Sequence, residues 1–292
     1  MAISLDDIKN LRERTGAGMA DCKKALEEAN GDMDGAIEIL RKKGAATAAK
    51  RADKAADEGM IATAVSDDHK SGAVVEVNCE TDFVARNEEF SSFAEKIAKV
   101  VLDNNPSNEA ELLSTEIDGL TVEEGLNELL AKFSERIGIR RFMRIDTADG
   151  FIADYIHSGS RLAVLVELAG AGDDAEKADR LARDIAMQVA AMNPAHVSRD
   201  EFTEEVIEKE REIYREQLAT ENKPQDIIEK IVNGRVEKFF EESTLLEQSF
   251  VKDSSKNVVD VLKEHGEDTS VRRFIRFNLG EALDQEPASA EA

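Results

Sequence analysis

A chain of 292 residues is long for one ordinary core and has room for two or three domains of about 100 to 150 residues each. Its 62 acidic residues against 38 basic ones leave a net charge of −24, a soluble surface whose field repels phosphate backbones and anionic membranes, so nucleic acid and lipid are poor candidates for the main partner. Cys22 and Cys79 stand far apart and outside any CxxC pair, which argues against a disulfide framework or a thiolate zinc site and fits a reducing cytoplasm; no stretch approaches the about 18 continuous apolar residues that span a bilayer, and no apolar run follows a basic stretch at the start.

Aromatic residues make up 5% of the chain and Trp is absent, so the core is expected to be mostly Ala, Val, Leu and Ile, which suits closely packed helices. Ser4 caps a predicted helix bearing Leu5, Ile8 and Leu11, and the Thr15-Gly16-Ala17-Gly18 turn ends it. A second helix follows from about Ala20 to Ala29. Asn30-Gly31 then turns the chain, and Ala36, Ile37 and Leu40 recur at helical spacing until Gly44 supplies a C-terminal stop. Residues 1–44 thus read as a three-helix module. Gly16 and Gly18 follow a helix rather than a strand, with no third glycine in register, which argues against a nucleotide-binding loop. Residues 45–58 are mostly Ala, Lys and Asp without a large apolar anchor, and are expected to be a tether, helical in part.

Beyond the tether lies an internal repeat. Gly59-Met60-Ile61-Ala62 matches Gly150-Phe151-Ile152-Ala153, and Val74-Val75-Glu76-Val77 matches Leu165-Val166-Glu167-Leu168, both at an offset of 91 residues. Ala94, Ile97 and Val101 match Ala182, Ile185 and Val189 at an offset of 88, so the second copy is 91 − 88 = 3 residues shorter between strand and helix. Each copy reads as strand, turn, strand, helix. The expectation is an α+β fold with two related ββα subdomains, one over residues 59–148 and one begun by 149–198 and completed by 251–284. A basic strand follows the helical part of each copy, Arg140-Arg141-Phe142-Met143-Arg144-Ile145 and Arg272-Arg273-Phe274-Ile275-Arg276-Phe277. Its alternation predicts one buried and one wet face, and cross-strand pairing with Glu76 and Glu167 is favoured over nucleic-acid readout. Between them, residues 199–250 place Ile207, Tyr214 and Leu218 on one helical stripe and Ile228, Ile231, Val232 and Phe239 on another, broken by Asn222-Lys223-Pro224, which predicts an antiparallel helical hairpin. Residues 285–292, rich in Glu, Ala, Pro and Ser, are expected to be disordered.

Catalytic chemistry has little to work with. His69, His157, His196 and His265 stand at no metal-ligand spacing, and neither a GxSxG elbow nor a Walker loop is present. Chance pairs are expected among 62 carboxylates, so no catalytic residue, metal or cofactor is assigned. The two repeats differ most in the connector between strand and helix. In the second copy it is Ala169-Gly170-Ala171-Gly172-Asp173-Asp174, small and polar. The first copy has Asn78-Cys79-Glu80-Thr81-Asp82-Phe83-Val84-Ala85-Arg86-Asn87 in that place. The residues alone leave Phe83 with two readings, an exposed interface anchor or a staple folded back over its own helix.

Leu11-Arg12-Glu13-Arg14-Thr15-Gly16-Ala17-Gly18-Met19, continuing through Asp21-Cys22-Lys23-Lys24-Ala25-Leu26 to Gly31-Asp32, is similar to the first signature of the elongation factor Ts family. Glu76-Val77-Asn78-Cys79-Glu80-Thr81-Asp82-Phe83-Val84 resembles its second, in the family's order, and the likeness runs through the duplicated core, the hairpin and the last strand. The resemblance implies guanine-nucleotide exchange by protein binding, with elongation factor Tu as partner in its GDP-bound and nucleotide-free forms, and no cofactor. It further implies that Thr81, Asp82, Phe83 and Val84 dislodge the partner's magnesium and phosphate contacts, Asp82 and Phe83 wedging into its GTPase domain. The three-helix module resembles a ubiquitin-associated fold, with Gly18 and Met19 approaching that same domain, and His157 would face another domain of the partner. From the residues alone Met19 serves equally well as core filling. A homodimer or a two-to-two complex stays open. So does a different class of function, an adaptor that uses the module to recruit another protein, with a magnesium-dependent enzyme as a third reading.

Overall fold

The computed structural model describes residues 3–51, 54–219 and 224–282, so the expected tail at 285–292 and the Asn222-Lys223 part of the hairpin turn lie outside it. Helix α1 (Leu5–Thr15) begins at a capping box: Ser4 Oγ accepts from the Asp7 N–H, and the Asp7 carboxylate accepts from the Ser4 N–H. It ends at Gly16, whose φ of 65° favours glycine. Helices α2 (Met19–Glu28) and α3 (Met33–Arg51) follow, and Ile8, Leu11, Cys22, Leu26, Ala36 and Leu40 close a small core among the three.

Strands β1 (Glu58–Val65) and β2 (Ser71–Cys79) form an antiparallel hairpin, after which come the one-turn helix α4 (Asp82–Ala85) and the long α5 (Glu88–Asn104). Helix α6 (Glu109–Ser114), a minimal pair β3 (Glu116–Ile117) and β4 (Leu120–Thr121), and α7 (Val122–Phe133) lead to β5 (Ile137–Asp146), which completes a sheet of order β1-β2-β5. The second copy supplies β6 (Phe151–Ile156), β7 (Leu162–Ala169) and α8 (Ala175–Met192). Helices α9 (Glu204–Leu218) and α10 (Gln225–Ser243) make the inserted hairpin, burying Leu218, Val232 and Val236. Its ends meet: the Ala195 N–H donates to the Ser243 carbonyl at 2.8 Å and the Leu245 N–H to the His196 carbonyl at 2.9 Å. A short pair β8 (Ser249–Phe250) and β9 (Asp253–Asn257), then α11 (Val258–His265), precede β10 (Ser270–Asn278), which gives a second sheet of order β10-β7-β6. The fold is α+β, as expected.

Helix α3 departs from the sequence reading. Gly44 does not stop it, and the first part of the supposed tether is its C-terminal end, continuing to Arg51. The cause is remote in sequence. A Cβ on Gly44 would stand 2.5 Å from the Asn127 carbonyl oxygen and 3.1 Å from Ala131 Cβ, so this glycine permits close passage along α7. Arg41 reaches from α3 to Glu128 at 2.9 Å and Glu124 at 3.5 Å on α7. The three helices are therefore docked on the core through α3.

Each sheet is covered on both faces. Met60, Ala62, Val75 and Val77 of the first sheet pack with Phe90, Ile97, Val101 and Leu130, while Ala153, Val164, Val166 and Leu168 of the second pack with Ile185, Val189 and Leu262. The intervening residues Ile61, Val74, Ile152, Leu165, Ile275 and Phe277 meet between the sheets, as the period of two requires. The layers run helix, sheet, sheet, helix. The two copies are joined by reciprocal hydrogen bonds. The Ile61 N–H donates to the Ser160 carbonyl (2.7 Å) and the Ile152 N–H to the His69 carbonyl (2.9 Å); the Thr147 N–H donates to Lys70 (2.9 Å) and the Leu279 N–H to Arg161 (2.8 Å). Positions 61 and 152, 69 and 160, and 70 and 161 keep the 91-residue offset, so each copy lends the other the same bond.

The alternation expected in β5 and β10 breaks once in each. Arg141 lies opposite Glu76 while Ile139, not Arg140, lies opposite Val77; Arg273 lies opposite Glu167 while Val271, not Arg272, lies opposite Leu168. These bulges bring two successive arginines onto one carboxylate. Glu76 accepts from Arg140 Nη1 at 3.0 Å and Arg141 Nε at 2.7 Å, and Glu167 accepts from Arg272 Nη1 at 3.1 Å and Arg273 Nε at 2.8 Å. The expected cross-strand pairing is present, with both carboxylates buried. Arg141 also donates to the Asn278 carbonyl (3.0 Å) and Arg273 to the Asp146 carbonyl (2.9 Å), so each clamp ties one sheet to the last strand of the other.

Burial alone would raise the Glu76 pKa, but the Gly280 N–H and the Arg141 and Arg140 guanidiniums together hold it below its ordinary 4.5. A depressed folded pKa gives stability that is fully present above about 4.5 and is lost as the pH falls through the lower folded value. Glu76→Gln is expected to cost about 3 kcal/mol at neutral pH, because it strips a buried clamp of its charge. It should also flatten the loss of stability between about pH 5 and pH 3. Urea unfolding at a series of pH values checks both.

Candidate functional site

The connector between β2 and α5 is where the two copies part, and its extra residues accommodate α4. The Glu80 carboxylate accepts from Arg51 Nε at 2.7 Å, from Arg51 Nη2 at 3.0 Å and from the Arg136 backbone N–H at 2.6 Å. The Arg51 guanidinium, against a burial penalty and with help from the Arg136 N–H, holds this carboxyl below the usual range. Thr81 donates its N–H and hydroxyl to the Glu135 carboxylate at 3.1 and 2.8 Å, and its oxygen caps α4 by accepting from the Val84 N–H at 3.5 Å. The Cys79 thiol donates to the Thr81 carbonyl at 3.1 Å, and burial pushes its pKa up to about 12, so it stays a thiol. Val84 is buried in the core of the first subdomain.

With Thr81 and Val84 turned inward, the residue between them and beside Asp82 has nowhere to go but out. Phe83 is 84% exposed, more than any other large apolar side chain among the described residues. A ring stapled over its own helix would lose most of that exposure, so the staple reading falls. Asp82 is partly exposed and pairs with Arg86 at 3.1 Å, one turn on. Of the four connector residues singled out in the sequence, two therefore support the turn and two form its outer surface.

Met19 opens α2 with 36% exposure, and Gly18 in extended backbone is that helix's N-cap. The preceding turn leans on the core: a Cβ at Gly16 would stand 2.7 Å from Lys132 Cδ, and the Lys132 ammonium pairs with Glu89 at the start of α5. A cleft of ≈ 640 Å³ opens here, with Thr15, Gly16, Phe93, Ile117, Leu129 and Lys132 in its lining. His157 is exposed in the turn from β6 to β7, its Nδ1 3.1 Å from the Tyr155 hydroxyl. The other histidines have structural company. His69 Nδ1 lies 2.9 Å from the Ile152 carbonyl and its ring stacks on Phe151; His265 Nε2 lies 2.9 Å from the Ala171 carbonyl; His196 packs edge-on against Phe202. Among the described residues no group of three or more His, Cys, Asp or Glu is placed to hold a metal, and no helix is long and apolar enough to cross a membrane.

The braces escaped the sequence reading. Arg51 acts on Glu80 from 29 positions away, Lys132 on Glu89 from 43, and Glu135 on Thr81 from 54, and no local pattern signals such reach.

The family model described as Elongation factor TS matches residues 80–281, from the first braced residue of the connector to the end of the second sheet. The chain is 49% identical to elongation factor Ts of Aquifex aeolicus over 288 residues, covering 96% of this chain and 99% of that protein. It is 49% identical to elongation factor Ts of Prosthecochloris aestuarii over 286 residues (95% and 99% covered) and 46% identical to that of Clostridium perfringens over 288 residues (97% and 95% covered). With N-terminal helices, duplicated sheets and inserted hairpin all inside these alignments, the chain belongs to the elongation factor Ts family.

Proposed function

We propose that the chain is a guanine-nucleotide exchange factor that binds elongation factor Tu in its GDP complex and promotes release of GDP. The observation that supports this most is Phe83, a fully presented aromatic on a braced turn in the copy whose sister needs no aromatic there. Aromatic side chains that enter a desolvated pocket supply much of the energy of protein interfaces. In this reading Asp82 and Phe83 enter the partner's GTPase domain beside its phosphate loop and magnesium ion. Gly18 and Met19 lie against the same domain, and His157 faces another. The strongly acidic chain has no need to touch the anionic nucleotide. Binding energy shifts the partner's loops, and linkage requires that GDP weaken the chain's own binding by the same factor. No acid, base or nucleophile takes part, and the cytoplasm is the place of action.

The exposure of Leu5 and Met19 on the N-terminal helices supports a second reading, an adaptor that recruits a different protein. Release of labelled GDP from elongation factor Tu, with and without the chain, separates the two. Phe83→Ala should leave the unfolding midpoint essentially unchanged and weaken the productive complex by about thirtyfold, the equivalent of about 2 kcal/mol. A variant that melts early yet exchanges normally per folded molecule would overturn the anchor.

The helical hairpin is assigned to association. Because its ends are already joined by the Ala195 to Ser243 and His196 to Leu245 bonds, replacing residues 204–242 with a short flexible loop should preserve both sheets. That variant is expected to release GDP at the full rate when saturating but to need more protein to saturate. Loss of exchange at saturation with intact circular dichroism would place the hairpin in the opening of the nucleotide site instead.

A further inference from the structure

The two surfaces assigned to the partner, around Met19 and at Phe83, are joined by one rod. Helix α3 starts in the N-terminal module, where Ala36 and Leu40 belong to the module core, and ends at Arg51, whose guanidinium forks onto Glu80 three residues before Phe83. Its 19 residues span about 27 Å at the rise of an α-helix. Arg41 and Gly44 hold its middle against α7. Glu80 is in turn a junction, because the same carboxylate accepts the Arg136 N–H at the approach to β5, and the Arg136 guanidinium donates back to the Lys54 carbonyl just past α3.

We propose that Arg51 is a positioning residue for Phe83: through Glu80 it fixes the spacing between the Met19 surface and the Phe83 turn, so that one partner surface meets both at once. The proposal rests on the partner-binding reading of those two surfaces. The pair is partly buried, with 32% of the Arg51 side chain and 15% of the Glu80 side chain exposed, yet a single ion pair at a helix end contributes modestly to stability, so stability alone is a weak reason for a two-pronged contact between a helix end and a loop. Its planar fork, in contrast, fixes direction as well as distance, which a lysine ammonium does not. Two contacts at fixed spacing also reinforce each other through effective concentration, and that gain shrinks when the spacing wanders.

The spacing can be read without any partner. Cysteines introduced as Met19→Cys and Phe83→Cys accept spin labels at exposed sites, whereas the native Cys22 and Cys79 are buried. Pulsed electron paramagnetic resonance on the isolated chain is expected to give one narrow distance distribution with Arg51, at least about a twofold broader one with Arg51→Met, and an intermediate one with Arg51→Lys. In the unlabelled chain, Arg51→Met should slow GDP release from elongation factor Tu by about three- to tenfold, with Arg51→Lys recovering part of the loss. The unfolding midpoint of both should stay within about 3 °C of the native value. An unchanged distance distribution overturns the proposal, as does a broadened one with unchanged GDP release, or a slowed release matched by a large drop in midpoint. If Phe83→Ala exchanges normally, the partner reading beneath the proposal fails, while the distance distributions still report whether Arg51 sets the spacing.

Discussion

The contact between the two three-stranded sheets is the constraint on which the other features depend. Neither copy of the repeat can cover both faces of its own sheet, so Ile61 and Val74 on one side and Ile152 and Leu165 on the other must find each other. At either end of this apolar seam a buried glutamate accepts from two arginines. Such clamps add less net stability than hydrophobic residues of similar size would, but they penalise alternatives. A one-residue slip of β5 on β2 would turn Glu76 from its arginines and leave a carboxylate without partners, so the clamps hold the register that the apolar faces alone specify less sharply.

A frame fixed from within leaves its outer connectors free to differ. In the second copy the connector from β7 to α8 is a tight turn without a helix, with Gly170 and Gly172 at φ of 62° and 76°, and the Thr269 hydroxyl donates to the Gly170 carbonyl at 2.9 Å. In the first copy the same place holds α4, and every inward-facing group there, Cys79, Glu80, Thr81 and Val84, is engaged by the core or by α3. The exposed Phe83 is therefore held by its neighbours and not by its own packing. An aromatic ring that faces water at the tip of an otherwise anchored turn suits a surface that a partner completes.

Much of this was legible in the sequence because it is local or repeated. The repeat at offsets of 91 and 88, the cap at Ser4, the hairpin stripes and the pairing of tandem arginines with Glu76 and Glu167 all follow from spacing and charge. What was missed depends on contacts distant in sequence. Gly44 looks the same whether it ends a helix or lets one pass close to another, and only the Asn127 carbonyl decides. Alternation along β5 could not show a bulge, since the slip is defined against β2. Phe83 was evenly balanced between anchor and staple because the choice turns on which of two adjacent apolar residues enters the core. Thr81, bonded to Glu135, sets the phase of α4 and gives that place to Val84.

If the chain acts by binding in place of chemistry, the most direct measurement is the affinity of elongation factor Tu for GDP, determined by calorimetry alone and with the chain at saturation. Reciprocal coupling predicts a GDP affinity lowered by about 100-fold or more, and an equal loss in the affinity of the chain for elongation factor Tu when GDP is saturating. A GDP affinity that saturating chain leaves unchanged would contradict it.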